Sequence, residues 1–230
     1  MIRPLTNQLQ KGDFAMQTEA MNEARWTSAD LALFPDNGLR YEIIEGELFV
    51  SKQPNWHHQY TCTRLITVLE TWNMQTGLGQ TNLAPGLIFA DDDDVAPDVV
   101  WISHKRLAEA LEKDGRLHLA PELVIEVLSP GRANERRDRQ AKLGLYSRRD
   151  VQEYWIVDWL SRQVEVYRRK RRELRLVETL LQRDQLQSPL LPGFSCAIRD
   201  LFDQLPDSHQ PKKANKNGAN KNGTGQKTKR

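Results

Sequence analysis

The sequence predicts an α/β domain: a mixed, partly parallel sheet flanked by helices, with an antiparallel hairpin extension. Three observations carry that prediction. Residues 123–128 are a short apolar, β-branched run between Pro121 and Pro130, too short for a helix and suited to a strand covered on both faces. A helical stretch over 134–149 follows Ser129-Pro130-Gly131, and 154–158 is again apolar and strand-like; strand, helix, strand in that order makes a parallel βαβ unit. Residues 164–167 and 174–180 read as the two strands of a hairpin joined by the basic run 168–172.

A chain of 230 residues suits one domain with appendages. The polar, weakly patterned residues 1–24 read as a flexible N-terminal tail, 25–205 as the domain, and 206–230 as a disordered basic tail with too few apolar residues to bury surface. The tail also hides a charge asymmetry. Residues 211–230 carry seven Lys or Arg and no acid, which leaves residues 1–210 at −5 although the whole chain is +2. The domain is therefore not a generally basic nucleic-acid binder, and any such contact must come from local patches. Cys62 and Cys196 are far apart and lack metal-ligand spacing, which predicts two reduced thiols. No apolar run is long enough to span a bilayer, and the N-terminus lacks the apolar core of a signal peptide. The expectation is a cytoplasmic protein with no membrane partner.

In chain order, 41–44 and 47–50 alternate around Glu45-Gly46 and predict a tight hairpin. A helix over 56–72 follows, its inner face marked by Cys62, Leu65, Ile66, Leu69 and Trp72, with His58 on the same face near its start. Residues 86–90 read as a strand and 91–94 as a solvated acidic turn lacking the Gly and distal Glu of a calcium loop. Asp98 then opens the strand running to Ile102, and 107–112 is a short helix. Trp72, Trp101 and Trp155 lie in apolar runs and predict core positions.

Glu126 stands inside the apolar strand, where a carboxylate faces a large desolvation cost unless a cation, a metal or hydrogen-bond donors meet it. Asp98 opens a second apolar strand, so pairing could bring the two acids together; their repulsion would be relieved by a divalent cation, and a hard ion such as Mg²⁺ wants oxygen ligands. Such a site can polarise a phosphodiester and activate water. Lys142 lies about 40° from Tyr146 on the helix that follows, on the face that packs against the sheet. Asp138 shares that face.

Pro97-Asp98, Glu126-Val-Leu-Ser-Pro130, the helical Lys142 and Tyr146, and Val151-Gln-Glu-Tyr-Trp-Ile-Val-Asp158 together resemble the Uma-type branch of the PD-(D/E)XK restriction-endonuclease-like superfamily. The likeness extends from Arg40-Tyr-Glu-Ile-Ile-Glu-Gly-Glu47 to Leu191-Pro-Gly-Phe194. It implies a restriction-endonuclease-like mixed sheet and Mg²⁺-dependent hydrolysis of DNA, with Mn²⁺ as a substitute ion. Asp98 and Glu126 would be the metal ligands and Lys142 the catalytic lysine, displaced to the helix because Leu128 occupies the superfamily's usual lysine position. Glu42 and His58 match recurrent polar residues of the branch and would complete the metal site or orient a phosphate.

Plainer readings stand beside these. Glu126 could be a buried acid paired with Arg136 or Lys142, Asp98 a strand-entry residue, Lys142 a snorkelling side chain, His58 a core or cap histidine and Glu42 a solvated strand residue. Arg132, Arg136, Arg137 and Arg139 near the start of the helix could contact DNA phosphates, as could the hairpin tip 168–172, or either could be ordinary solvated surface. The two-fold symmetry of duplex DNA invites a homodimer. Three functions remain in view: a metal-dependent DNA endonuclease, a non-catalytic nucleic-acid-binding or scaffold module on the same fold, and a phosphoesterase of small substrates.

Overall fold

In the computed structural model of the protein, which describes residues 25–206, two sheets and a long helix frame one end of a buried strand pair. The readings of residues 1–24 and of the basic tail from residue 207 lie outside the described residues. The order begins α1 (Ser28–Leu31), β1 (Arg40–Ile44), β2 (Glu47–Ser51), α2 (Trp56–Thr76), β3 (Gly79–Leu83), β4 (Leu87–Ala90), β5 (Asp93–Val95), β6 (Val99–Ser103) and α3 (His104–Ala110). It continues with β7 (Leu123–Val127), α4 (Arg132–Arg136), a π-helical turn (Arg137–Lys142), α5 (Leu143–Arg148), β8 (Glu153–Asp158), β9 (Gln163–Lys170) and β10 (Glu173–Leu180). Two short strands, β11 (Gln185–Leu186) and β12 (Cys196–Ala197), and α6 (Ile198–Leu201) close the domain.

The main sheet has six strands in the order β10-β9-β8-β7-β6-β3, and a second sheet has the order β2-β1-β5-β4. β7 and β8 are parallel, as the βαβ reading requires, and the other pairs of the main sheet are antiparallel. Strand alternation sends Val99, Trp101, Ile125, Val127, Trp155 and Val157 to one face, where they meet Cys62, Leu65, Leu69 and Trp72 of α2. Val100, Ile102, Val124, Tyr154 and Ile156 fill the other face with Leu145 and Tyr146 of α5 and Ile44, Leu87 and Val95 of the second sheet. Coverage of both faces is why the central strands read as unbroken apolar runs. Trp72, Trp101 and Trp155 are all buried. Among the described residues no helix is long and apolar enough to cross a membrane.

The hairpin β1-β2 turns where predicted. Glu45 and Gly46 both adopt positive φ, 51° and 75°, as a tight turn matched to strand twist requires. Other expectations shift. α2 runs on to Thr76, four residues past the predicted end, and stops at Gly77 in the left-handed conformation. The helix predicted over 134–149 starts at Arg132 and contains the π turn, while the short helix predicted at 107–112 lies at His104–Ala110 because Ser103 caps it, accepting from the Arg106 N–H. The acidic run is only half a solvated turn. Asp93 and Asp94 are buried in β5, where Asp93 accepts from Arg149 Nε (3.0 Å) and from Glu45 N–H (2.8 Å). The basic hairpin tip also shrinks to Arg171 and Arg172. Arg168 instead reaches Glu153, Glu178 and the Gln187 carbonyl, and Arg169 caps the carbonyls of Val151, Tyr146 and Ser147.

Candidate active site

The register Val99↔Ile125 and Val100↔Val124 places the next residues, Asp98 and Glu126, opposite one another at one end of the β6–β7 pair. Both are buried. The helix after β7 then brings Lys142 back over that end, and its Nζ donates to Glu126 Oε1 at 2.9 Å. Tyr146, one turn on, donates its hydroxyl to the same oxygen, also at 2.9 Å. Lys142 has a second carboxylate partner: Glu42 Oε1 of β1, at 2.9 Å. Glu42 is buried rather than solvated, and it also accepts from the Ala96 N–H at 3.0 Å. The ammonium therefore bridges two sheets. Lys142 does not snorkel; it is fully buried.

The segment that delivers Lys142 is a π turn. Such i→i+5 turns are rare and occur frequently at functional sites. Here it carries Asp138 and Lys142, and both are completely buried on the sheet side. Asp138 accepts from Arg137 Nε at 2.8 Å, and Arg137 also lies 3.8 Å from Glu42.

Asp98 is held from three directions. Val127 N–H donates to Oδ2 at 2.9 Å, His58 Nε2 lies 3.1 Å from the same oxygen, and Arg40 Nη1 lies 3.3 Å from Oδ1. Because an ionised carboxylate only accepts, His58 carries its proton on Nε2. Nδ1 then faces Cys62 Sγ at 3.6 Å, giving a chain from Cys62 through His58 to Asp98. Ligand atoms of these three residues lie within 4.8 Å of one another, close enough to hold a metal ion. In the metal-free cluster the Cys62 thiol is pushed well up by burial and by the Asp98 and Glu126 charges.

Charge is unevenly balanced across the cluster. Among the described residues the cluster holds four buried carboxylates, Glu42, Asp98, Glu126 and Asp138, met by Arg40, Arg137 and Lys142 and by His58 on Asp98. Burial works to raise Asp98, but the His58 hydrogen bond and charge, Lys142 and the Val127 N–H outweigh it, and its pKa is lowered. Glu42 is likewise lowered, because Lys142 and Arg137 overcome its burial. Glu126 goes the other way. Burial pushes it up to about 8, Lys142 opposes, and the charges of Asp98, Asp138 and Glu42 add to the rise. Those acids in turn hold Lys142 charged, its pKa raised by Glu126 and Glu42 despite burial. Arg40 shows the same pattern: burial opposes its charge, and Asp98, Glu42 and Glu126 more than restore it.

The structure thus brings Glu42, His58, Asp98, Glu126 and Lys142 into one cluster. The four arginines expected near DNA separate. Arg137 is drawn into the cluster and Arg139 pairs with Glu165, while Arg132 and Arg136 stay exposed. Leu128, at the superfamily's usual lysine position, packs in the apolar core. Sequence reasoning missed Arg40, although alternation along β1 puts it on the face of Glu42.

A mixed sheet with paired acids at one strand end and a buried lysine returned by the next helix defines a restriction-endonuclease-like protein. A model of the Uma2 family, described as "Putative restriction endonuclease", matches residues 28–199, and the chain belongs to that family. Membership supports a nuclease-like function. The fold is similar to that in the crystal structure of "a putative nuclease belonging to DUF820" from Anabaena variabilis, with a TM-score of 0.61 and 20% identity over 76% of this chain and 97% of that one. No curated protein matches the chain.

Proposed function

We propose that the protein is a metal-dependent endodeoxyribonuclease. Asp98 and Glu126, joined by Glu42, hold Mg²⁺ or its substitute Mn²⁺, and Lys142 assists the attack of water on a phosphodiester. The observation that carries this reading is the crowding of acid: four buried carboxylates meet at one strand end, where burial and then the charges of Asp98, Asp138 and Glu42 push Glu126 up against the pull of Lys142. Buried structural acids are normally matched by their partners. The donors are carboxylate oxygens, which suit a hard ion, whereas the His58, Cys62 and Asp98 group serves better as a hydrogen-bond chain that orients Asp98. When bound, the ion would polarise the scissile phosphate and lower the pKa of a water.

The chain's own residues do the positioning. Tyr146 and Lys142 fix Glu126 through Oε1, and Val127 N–H and His58 fix Asp98 through Oδ2. Lys142 keeps a permanent positive charge beside the acids, in a dry environment where it stabilises the charge that develops on the phosphoryl oxygens. The water gives a proton to solvent and its oxygen bonds to phosphorus as the bridging P–O bond breaks, and the departing oxygen takes up a proton from solvent. Arg132 and Arg136, exposed at the start of the same helix, contact backbone phosphates beside the site.

Conversion of supercoiled plasmid to nicked circles in Mg²⁺ or Mn²⁺ tests this. Wild type should nick, and EDTA, Asp98→Asn and Glu126→Gln should each abolish it. Equal nicking by wild type and both variants would refute the site. A second reading, a DNA-binding module without turnover, draws on the fact that Asp98, Glu126 and Glu42 each already touch a protein cation. Gel retardation of DNA by wild type with no nicking in either ion would establish it.

A further inference from the structure

We propose that Arg40 is a tethered cation: it holds Asp98 in the metal-free protein and gives up that place when a metal enters. The inference rests on the reading of Asp98 and Glu126 as metal ligands.

Of the three cations in the cluster, Arg40 has a route out. Its side chain is 33% exposed, against 11% for Arg137 and 1% for Lys142. Its grip is also loose. A single nitrogen, Nη1, sits 3.3 Å from both Asp98 Oδ1 and the Ala96 carbonyl, at the long end of hydrogen bonding and without the two-pronged contact by which arginine usually holds a carboxylate. Lys142 could not be displaced in the same way, since it joins two buried carboxylates at 2.9 Å each. Arg40 nevertheless feels Asp98, Glu42 and Glu126 together, the three acids a metal would share.

Charge counting points the same way. A divalent ion that replaces Arg40 adds one positive charge to the cluster, whereas one that joins Arg40, Arg137 and Lys142 adds two, so exchange leaves the smaller charge to be matched by the acids. Arginine's long side chain can leave by rotamer change alone, and Arg40 is the first residue of its strand.

The test is calorimetric titration of Mn²⁺ into the whole, DNA-free protein as wild type, Arg40→Gln, Arg40→Lys and Glu126→Gln. Arg40→Gln should bind Mn²⁺ up to about fivefold more tightly, the worth of one partly exposed ion pair, while Arg40→Lys should stay near wild type because it keeps a competing charge. In EDTA, Arg40→Gln should melt below wild type, and Mn²⁺ should raise its melting temperature by more. Unchanged or weaker Mn²⁺ binding by Arg40→Gln, with Glu126→Gln still impaired, overturns the role of Arg40 alone. Binding by Glu126→Gln equal to that of wild type, or no Mn²⁺ binding by wild type, overturns the metal-site reading and this inference with it. Should Arg40→Gln not fold, looser binding or wild-type-like melting of Arg40→Ala in the same assays would overturn it.

Discussion

Glu126 and Glu153 invite comparison, since they are the same residue in neighbouring strands of one sheet and each is about 1% exposed. Burial raises both pKa values. Their surroundings then diverge. Glu153 has a donor for each oxygen: Trp155 Nε1 on Oε1 at 2.6 Å, and Arg168 Nε at 3.2 Å with the Ser188 hydroxyl at 2.9 Å on Oε2. Every one of these contacts acts to lower its pKa. Glu126 receives both of its donors on Oε1, and three other carboxylates add to the cost of ionising it. A buried acid that folding alone requires is matched by its partners. Glu126 is crowded instead by like charges, which is the contrast on which the proposed metal site rests.

The widest separation between the two should come from activity. Glu126→Gln keeps the shape and removes the charge, so plasmid nicking should fall by at least about a hundredfold while the melting temperature stays close to wild type. A melting temperature that collapsed along with activity would put Glu126 in the same class as Glu153. Next in size is Lys142→Met, which leaves Glu126 and Glu42 buried without their shared cation. Urea denaturation should show a loss of about 3–5 kcal/mol. Combining it with Glu126→Gln should recover part of that loss, because the two residues touch and their effects are not additive. Strict additivity would mean that the ion pair is energetically idle.

Much of this site was legible in the sequence because it hangs on strand pairing. An acid inside an apolar run and another at the mouth of the next run are brought together by the pairing that buries both strands, and helical periodicity turns Lys142 inward. The π turn was not legible, since an i→i+5 segment leaves no pattern distinct from its flanking α-helix, although the inward side of Asp138 was legible from helical spacing. The engagement of Arg137 by Glu42 and Asp138 was hidden for a related reason: a cluster of four arginines reads as one surface until the helix phase assigns each to a side. Asp93 was misjudged as solvated because its partner, Arg149, lies 56 residues away. In the fold, the sheet order beyond the βαβ unit depended on long-range pairing of β3 with β6, which local patterning does not specify.

Glu153→Ala should sharpen the other side of the comparison. It leaves the Trp155 indole N–H and the Ser188 hydroxyl without their acceptor in a buried setting, so stability should fall by about 1–3 kcal/mol. Nicking per folded molecule should be retained, and a proportionate loss of activity at unchanged stability would contradict a purely structural role.

The smallest effect on stability is expected at Arg132 and Arg136, exposed on the helix that carries Lys142. Changing each to Gln should move stability by no more than about 0.5 kcal/mol. If they hold backbone phosphates, each change should weaken DNA binding similarly across sequences and lower the slope of log affinity against log salt by about 0.9. Arg137→Gln should behave differently despite its adjacent position, because its guanidinium is committed to Asp138 and Glu42: stability falls, and the salt slope holds. An equal drop in slope for all three would mean that Arg137 leaves the cluster to meet DNA, and that Asp138 and Glu42 give up one of their cations when it does.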